Sequence, residues 1–300
     1  MPYITDAARL IQSIMSHPLN RTRKLAAASR FLRWQIATRL LPDGAIAVPF
    51  VNGSRLLATR RMAGALGNVY SGLQEFDDMA FLLHALRPGD VLADVGANVG
   101  SYSILAASVG ARSIAFEPVP STFASLADNV AINGYSGLIA ARNLAVGARS
   151  GTVSMTCDLD AVNRVVGDNG IEGTMAVDII PLDSVDELAG SSLFVKVDVE
   201  GYEREVVVGA KGILSSPTLR ALVIELNASG AGNAQNSAEI HRSLRSLGLA
   251  GFRYDAFART LEPIEGWNRE SRNTLYIRDL PFIEDRIRRT PKVHINGVEF

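Results

Sequence analysis

The sequence contains a single cysteine, Cys157, among its 300 residues. An internal disulfide is therefore excluded, and the scarcity of cysteine favours a reducing compartment. No cysteine pair or His/Cys cluster has the spacing of a zinc site. The formal net charge is only -1, so the chain as a whole lacks the basic excess that is typical of a nucleic-acid-binding protein. We therefore expect neither a disulfide scaffold nor a zinc domain, and no nucleic-acid partner.

Long apolar runs are also missing. No uncharged apolar segment reaches the roughly 18 residues needed to span a bilayer. The N-terminus does not resemble a signal peptide, because Asp6 and Arg9 interrupt its first apolar stretch. Hydrophobic residues nevertheless make up 47% of the chain and charged residues 20%, which is the composition of a globular protein with a large core. The sequence predicts a cytoplasmic protein with one large domain, or one domain and an appendage.

Residues 1–45 differ in composition from the rest of the chain. Apolar positions between Leu25 and Leu40 form an approximate helical stripe, and alternating apolar positions in residues 45–59 predict a β-hairpin. We expect residues 1–65 to be an appendage that docks on the core or on a partner. A basic amphipathic helix in weak contact with a membrane surface is the alternative. The oligomeric state is not fixed by the sequence, and a homodimer is one option. The basic side chains of this segment are Arg9, Arg21, Arg23, Lys24, Arg30, Arg33 and Arg39.

Strand-like and helix-like segments alternate from residue 66 to residue 285. Short apolar strands followed by helical patterns predict a mostly parallel sheet that is covered on both faces. Residues 60–74 are predicted to form a loop and residues 286–300 a C-terminal tail. The strand predictions are 91–95, 113–116, 138–146, 151–156, 177–180, 193–197, 221–226, 252–257 and 274–277.

A glycine-containing segment, D-V-G-A-N-V-G at 94–100, follows the first of these strands. A dinucleotide fingerprint starting at Gly96 would need glycine where the chain has Asn98 and Ser101. No Gly-Lys-Ser/Thr follows, so a Walker phosphate loop is excluded as well. Asp94 would repel a phosphate, but it suits a ligand that carries a cation, as S-adenosylmethionine does. Glu117 ends the next strand, where a carboxylate can accept hydrogen bonds from ribose hydroxyls. The pair of acids favours S-adenosylmethionine over NAD.

In these motifs the chain resembles the FkbM family of class I S-adenosylmethionine-dependent methyltransferases, over roughly residues 70–280. The resemblance implies a Rossmann-like, doubly wound, mostly parallel seven-stranded sheet with an antiparallel last strand. It also implies methyl transfer to a hydroxyl or carboxylate oxygen of a small-molecule or glycan acceptor. The matching segments are R-P-G-D-V (87–91), D-V-G-A-N-V-G (94–100), F-E-P-V-P (116–120), L-A-D-N-V-A-I-N (126–133), L-D-S-V (182–185) and V-K-V-D-V-E-G-Y-E (195–203).

The resemblance also implies a set of cofactor-binding positions on this chain. By this resemblance, residues of the glycine loop surround the methionine moiety of S-adenosylmethionine, and Glu117 binds its ribose. The end of the third strand supplies the adenine side. The residues implied are Asp94, Gly96, Ala97, Asn98, Gly100, Glu117, Pro118, Asn143, Ala145 and Asp198.

Asp198 and Glu200 follow strand 193–197, which should adjoin the first strand. A carboxylate there can orient an acceptor hydroxyl and take its proton during an in-line displacement, so both are candidate catalytic residues. The alternatives are structural: Asp198 as the partner of Lys196, and Glu200 as an acid at a helix start. His241 is a further candidate base. The polar segments 158–173 and 227–237 are candidates for the acceptor pocket.

A metal site is a less favoured option. Glu225 and Asn227 end the next strand, and with Asp198 they offer oxygen ligands that would suit magnesium. We expect hydrogen bonding to the substrate instead of a metal. The alternative functions are N-methylation, methylation of a peptide or nucleic acid, and a non-catalytic scaffold that binds S-adenosylmethionine. The near-neutral net charge disfavours a nucleic-acid target.

Overall fold

The computed structural model describes residues 2–42, 44–60, 62–156, 165–166, 174–190, 192–226 and 231–300. The helices are α1 (Pro2–Ser16), α2 (Lys24–Leu40), α3 (Ala63–Ser71), α4 (Phe76–Ala85), α5 (Ser101–Ser108), α6 (Pro120–Ile132), α7 (Glu203–Val208), α8 (Lys211–Ser215), α9 (Ala231–Ser246) and α10 (Leu280–Arg289), with short 3-10 turns at Leu182–Ser184 and Asp186–Leu188. The strands are β1 (Ile46–Pro49), β2 (Arg55–Ala58), β3 (Val91–Val95), β4 (Arg112–Phe116), β5 (Ile139–Arg142), β6 (Ala145–Val146), β7 (Gly151–Thr156), β8 (Val165–Val166), β9 (Thr174–Ile180), β10 (Leu193–Val197), β11 (Leu219–Glu225), β12 (Ala250–Asp255), β13 (Thr260–Pro263), β14 (Asn273–Ile277), β15 (His294–Ile295) and β16 (Val298–Glu299). None of the helices in this part of the chain is both long and apolar enough to cross a membrane.

The central sheet has the order β13-β12-β14-β11-β10-β3-β4-β5. Strands β5, β4, β3, β10 and β11 are parallel to one another, whereas β14 is antiparallel to both β11 and β12. The doubly wound α/β fold with an antiparallel last strand is confirmed. The strand number was wrong by one, because β13 pairs with β12 at the edge of the sheet. The hairpin between them is shaped by Asp255, whose Oδ1 accepts from the backbone N–H groups of Phe257 (2.9 Å) and Ala258 (2.8 Å), and by Arg259 at φ +56°.

The central strands are short and apolar because both faces of the sheet are covered. Every residue of β3 and of β10 is buried. Alternate side chains point to opposite faces, so that Leu92 and Phe194 join one core cluster while Ala93 and Val195 join another. The chain reverses direction of winding between β3 and β10, and the cleft beyond their carboxyl ends is where such folds bind ligands.

A second sheet, of order β6-β9-β7-β8, stands apart from the central one. The predicted strand 138–146 is in fact two strands: β5 ends at Arg142, and β6 begins at Ala145 and pairs with β9. The segments predicted at 151–156 and 177–180 also belong to this sheet. Met155, Val177 and Ile179 pack with Val119 and Ala145 in a small apolar cluster that holds it against the central domain.

The N-terminal segment is docked on the core, as predicted. The hairpin β1–β2 is confirmed, and it is held on α6, since Asn129 Oδ1 accepts from Leu57 N at 2.6 Å and Asn133 Oδ1 accepts from Arg55 N at 2.8 Å. The loop prediction for 60–74 was wrong, because residues 63–71 form α3. The proposed boundary between residues 65 and 66 therefore falls inside a helix.

The C-terminal segment is packed and not a loose tail. Helix α10 extends past residue 286, and β15 and β16 form a hairpin. Phe300 is 3% exposed, and its ring lies 5.0 Å from that of Phe76 at the start of α4.

Candidate cofactor and acceptor site

A cavity of about 930 Å³ opens at the carboxyl ends of the central parallel strands. Asp94 at the end of β3, Glu117 after β4, Asp198 after β10 and Glu225 at the end of β11 all line it. The structure thus brings together the acids that the sequence placed at successive strand ends. Among the described residues, the wall also includes His17 and Pro18 from the turn after α1.

Gly96, just after β3, lies against the backbone of Asp198, just after β10. Its φ is +79°, and a Cβ built on it would stand 1.8 Å from the carbonyl oxygen of Asp198. The backbone N–H groups of Gly96 and Ala97 both donate to the carbonyl of Phe116, at 3.0 and 2.9 Å. Only glycine fits this position, and the loop is fixed to β4 on one side and to the end of β10 on the other.

Asn98 and Gly100 shape the rest of the loop. Asn98 has φ +51°, and its Oδ1 accepts from Val99 N at 2.7 Å. Gly100, at φ +89°, caps the start of α5, and a Cβ there would stand 2.4 Å from Leu126 Cδ1. Gly96, Ala97 and Asn98 line the cavity, but Gly100 does not. Its conformation and close packing account for the glycine without a ligand contact.

Asp94 and Glu117 are both buried and hydrogen-bonded. Asp94 Oδ2 accepts from Ser103 Oγ at 2.6 Å, and burial raises its pKa to about 6. Glu117 accepts from Asn98 N and Val119 N, each at 2.9 Å, and burial raises its pKa to about 7. A cation on Asp94 and hydroxyl donors on Glu117 would favour the ionised forms that burial disfavours.

The predicted adenine side is only partly assembled in the cavity. Pro118 and Ala145 line it, together with Met155 of the second sheet. Asn143 does not, because its Nδ2 donates to the carbonyls of Glu117 and Pro118, both at 2.8 Å. The Nδ2 group of Asn143 therefore fixes the corner after β4.

Lys196 is a cation buried within a group of acids. It is 2% exposed, and its Nζ lies 3.0 Å from Asp198 Oδ2 and 5.0 Å from the centre of the Tyr102 ring. Burial lowers the pKa of Lys196, but the carboxylates of Asp198 and Glu75 outweigh it and raise the pKa above its ordinary value. The predicted pairing of Lys196 with Asp198 is confirmed, and the lysine stays charged.

Comparison with known proteins identifies the family at this point. Residues 94–254, more than half of the chain, match the family model described as the methyltransferase FkbM domain. The chain belongs to the FkbM methyltransferase family. It is 34% identical over 161 residues to the hexuronic acid methyltransferase AglP of Haloferax volcanii. That match covers 51% of this chain and 63% of AglP. It is 30% identical over 189 residues to the 31-O-demethyl-FK506 methyltransferase FkbM of Streptomyces tacrolimicus. This second match covers 51% of this chain and 72% of that protein.

Three carboxyl groups lie close together at the carboxyl ends of β10 and β11. One ligand oxygen each from Asp198, Glu200 and Glu225 lie within 4.8 Å of one another. Burial and the neighbouring Asp198 carboxylate raise the pKa of Glu225 to about 8. Burial raises the pKa of Asp198, but Lys196 and a hydrogen bond with Glu225 outweigh it and lower that pKa. The two pKa values are therefore moved apart, so that Glu225 takes up a proton at a higher pH than Asp198 does.

This group of acids differs from the metal set predicted from the sequence. Glu200 takes the third position, at φ +50°. Asn227 lies outside the described residues, as do Cys157 and most of the segment 158–173 that was predicted to form an acceptor pocket. The carboxylate oxygens are of the type that magnesium prefers, and they serve equally to bind hydroxyl hydrogens.

His241 was a candidate base, and the structure does not bring it to the cavity. Its Nδ1 lies 2.8 Å from the Tyr276 hydroxyl, and its ring packs 6.4 Å from that of Trp267. The sequence predicts a helix over residues 238–247, with His241 near its start, but α9 begins at Ala231 and His241 therefore lies in the middle of the helix. Burial lowers the pKa of His241, which keeps the ring neutral against these aromatic neighbours.

Two acids at the start of α4, Glu75 just before the helix and Asp78 in its first turn, line the cavity and were not predicted. Glu75 Oε2 accepts from the Tyr102 hydroxyl at 2.5 Å, and Asp78 Oδ2 accepts from Asn273 Nδ2 at 3.0 Å. Burial raises the pKa of Asp78 to about 7. The available signal was the run E-F-D-D at 75–78, three acids at the start of a helix that leads into the first central strand.

The cavity wall is strongly acidic. A phosphate-bearing ligand would be repelled by it, whereas a ligand with a sulfonium and an ammonium group would be attracted. The wall holds the acids Glu75, Asp77, Asp78, Asp94, Glu117, Asp198, Glu200, Glu225 and Glu270 and the cations Lys196, Arg253 and Arg272.

Proposed function

We propose that this protein is an S-adenosylmethionine-dependent O-methyltransferase that acts on a hydroxyl or carboxylate of a glycan or small molecule. The observation that carries the proposal is that two groups of charged side chains line the cavity on opposite sides of Gly96. Asp94 and Glu117 lie on one side, where they suit a cationic nucleoside ligand. The pair of Lys196 and Asp198 lies on the other side, where it suits an acceptor.

At the cofactor end, each group has one task. Asp94 accepts hydrogen bonds from the ammonium group, and Glu117 accepts them from the ribose hydroxyls. Gly96 lets the ligand approach the backbone, and Pro118 and Ala145 flank the adenine. The cofactor supplies an electrophilic methyl group on a positively charged sulfur.

The transfer is an in-line displacement, for which the acceptor must be aligned with the methyl carbon. With the cofactor bound, the acceptor oxygen would form a bond to that carbon as the bond from carbon to sulfur breaks, and the sulfur would leave as a neutral thioether. The hydroxyl proton passes to Asp198. Because the lowered pKa of Asp198 makes it a weak base, the proton moves late, and the main contribution of Asp198 is to orient the hydroxyl. Lys196 holds the carboxylate in place.

The acceptor end of the cavity suits a polyhydroxylated ligand. Asn273 Oδ1 is buried in the cavity wall and has no hydrogen-bond partner among the described residues, so a ligand hydroxyl can donate to it. Arg272 lies at the rim with its Nη1 3.7 Å from Glu225 Oε1. Arg253 and Arg272 can pair with a carboxylate on the ligand, which agrees with the hexuronic acid in the name of the relative AglP.

The decisive test separates binding from transfer. We expect S-adenosylhomocysteine to bind in calorimetry, and radiolabelled S-adenosylmethionine to label an acceptor from a panel of sugars, uronic acids and hydroxylated small molecules. Asp198→Asn should lower kcat at least about 100-fold, with the affinity for S-adenosylhomocysteine within about twofold of the wild type.

Each other outcome has a definite meaning. Absence of S-adenosylhomocysteine binding would contradict the proposal as a whole. Binding without transfer to any acceptor would favour a scaffold, and product in which the methyl group is on nitrogen would contradict O-methylation. Activity that EDTA abolishes and magnesium restores would make the carboxylates of Asp198, Glu200 and Glu225 a metal site.

A further inference from the structure

Helix α2 is apolar on two opposite sides. Its inner side chains, Ala27, Trp34 and Thr38, are buried toward the core. On the other side, four large apolar residues follow one another at helical spacing and are 49 to 89% exposed. We refer to these four as the outer stripe: Leu25, Leu32, Ile36 and Leu40.

The exposed apolar surface of the protein is concentrated around this stripe. Large apolar side chains that are more than a third exposed number ten among the described residues, and seven of them lie in α1, α2 or directly after α2. Scattered exposed leucines are ordinary on a protein surface, but a contiguous stripe marks an interaction site. The three that accompany the outer stripe are Leu10, Ile11 and Leu41.

The charge around the stripe is mainly positive. Residues 1–45 carry seven basic and two acidic side chains, whereas the chain as a whole has a net charge of -1. Five of the six basic side chains of α2 and of the turn before it are exposed, and the sixth, Arg30, is half-buried and donates to Asn20 Oδ1. The exposed basic side chains are Arg21, Arg23, Lys24, Arg33 and Arg39.

We propose that the outer stripe docks on an anionic lipid surface. Leucine and isoleucine side chains enter the boundary between headgroups and acyl chains, while the flanking arginines and Lys24 bind the phosphates above them. A second copy of the chain fits less well, because a two-fold contact through the same stripe would place two cationic rims against each other. Opposite charge on the partner is what this face requires.

The test is co-sedimentation of the full chain with large unilamellar vesicles. We expect binding to phosphatidylcholine vesicles that contain 30 mol% phosphatidylglycerol, about fivefold weaker binding for each basic side chain neutralised, and weaker binding at high salt. Leu32→Ser/Ile36→Ser should weaken binding at least about tenfold. The control is Ile132→Ser, which makes the same substitution as Ile36→Ser at a 39% exposed residue of α6. It should leave binding unchanged.

Three results would overturn the proposal. The first is absence of binding to the anionic vesicles. The second is equal binding by the wild type and Leu32→Ser/Ile36→Ser, and the third is equal binding to neutral and anionic vesicles. A dimer in analytical ultracentrifugation that Leu32→Ser/Ile36→Ser dissociates, without vesicle binding, would assign the stripe to a second copy. Because binding of S-adenosylhomocysteine is measured on the same variants, failure of the cofactor site would be seen separately.

Discussion

At the scale of single residues, the two buried acids of the cofactor end make ligand binding depend on pH. The pKa values of Asp94 and Glu117 are raised by burial to about 6 and about 7. A cationic ligand needs Asp94 ionised. We therefore expect the affinity for S-adenosylhomocysteine to increase about fourfold between pH 5.5 and pH 7.5, since a carboxyl group with a pKa of about 6 is roughly one quarter ionised at the lower pH and almost fully ionised at the upper. Calorimetry across this range should show a much flatter profile for Asp94→Asn.

The same shift sets the sign of a stability change in the ligand-free protein. The folded-state pKa of Asp94 lies above its ordinary value, so the folded protein binds more protons than the unfolded chain between about pH 4 and pH 6. Its contribution is present at low pH and is lost as the pH rises through the folded-state pKa. The free energy of unfolding should fall over that window more steeply in the wild type than in Asp94→Asn. An equal slope in urea titrations would contradict the assignment.

Gly96 offers a test of close approach. Gly96→Ala adds both a collision with the Asp198 carbonyl, at 1.8 Å, and an unfavourable φ of +79°. We expect it to lower the free energy of unfolding by about 3 kcal/mol or more and to abolish cofactor binding.

The matched control for Gly96 is Gly134, which has φ +66° and no atom of the described residues within 4 Å of a built Cβ. Gly134→Ala carries only the backbone strain, so it should cost about 1 kcal/mol and leave binding intact. Chemical denaturation measures both. Equal losses for the two variants would show that strain, and not the strand approach, makes Gly96 necessary.

At the scale of elements, the docking of the N-terminal hairpin depends on one buried amide. Asn129 accepts from Leu57 N at 2.6 Å and donates to the carbonyl of Val99 at 2.9 Å. Asn129→Ala should cost about 3 kcal/mol, because it leaves a donor and an acceptor unsatisfied. Asn133→Ala removes the hydrogen bonds with Arg55 at a half-buried position that water can reach, and it should cost less than about 1 kcal/mol. Thermal unfolding of the two variants checks the difference, and similar losses would argue against a buried anchor.

The elements that the sequence predicted well are those whose burial is uniform. Strand β10 has the predicted bounds of 193–197, because a strand covered on both faces is a continuous apolar run. Helix α3 was missed because of its glycines. Gly64 and Gly67 are packing positions, where a Cβ would stand 2.4 Å from Asn98 Oδ1 and 2.3 Å from Gln74 Oε1. Local propensity predicts a loop for such glycines, and only the tertiary contact explains them.

The convergence of the acids in the cavity was predictable in part. Asp94, Glu117 and Asp198, the partner of Lys196, follow strand ends, which a parallel sheet brings to one edge. Glu75 and Asp78 could not be assigned in this way, because the approach of α4 to the cavity depends on how helices pack. His241 failed for a related reason, since a shift in the start of α9 changes which face a side chain occupies.

At the scale of the whole molecule, the C-terminus is tied to the start of the core. Phe300 and Phe257 both lie with their rings 5.0 Å from that of Phe76, but Phe300 is 3% exposed and Phe257 is 40% exposed. Phe300→Ala should lower the free energy of unfolding by about 3 kcal/mol and Phe257→Ala by about 1 kcal/mol or less. Denaturant titration measures both. A negligible loss for Phe300→Ala would show that the C-terminal hairpin is an independent attachment.

The close approach at Gly96 has a geometric consequence for the proposed reaction. The N–H of Asp198 donates to the carbonyl of Val95 at 3.0 Å, so the donor side and the acceptor side of the cleft are joined by the hydrogen-bond ladder of the sheet itself. The separation of the two sides is then set by the spacing of neighbouring strands, about 4.8 Å. Because backbone hydrogen bonds fix this spacing, it does not depend on the side chains that line the acceptor end of the cavity.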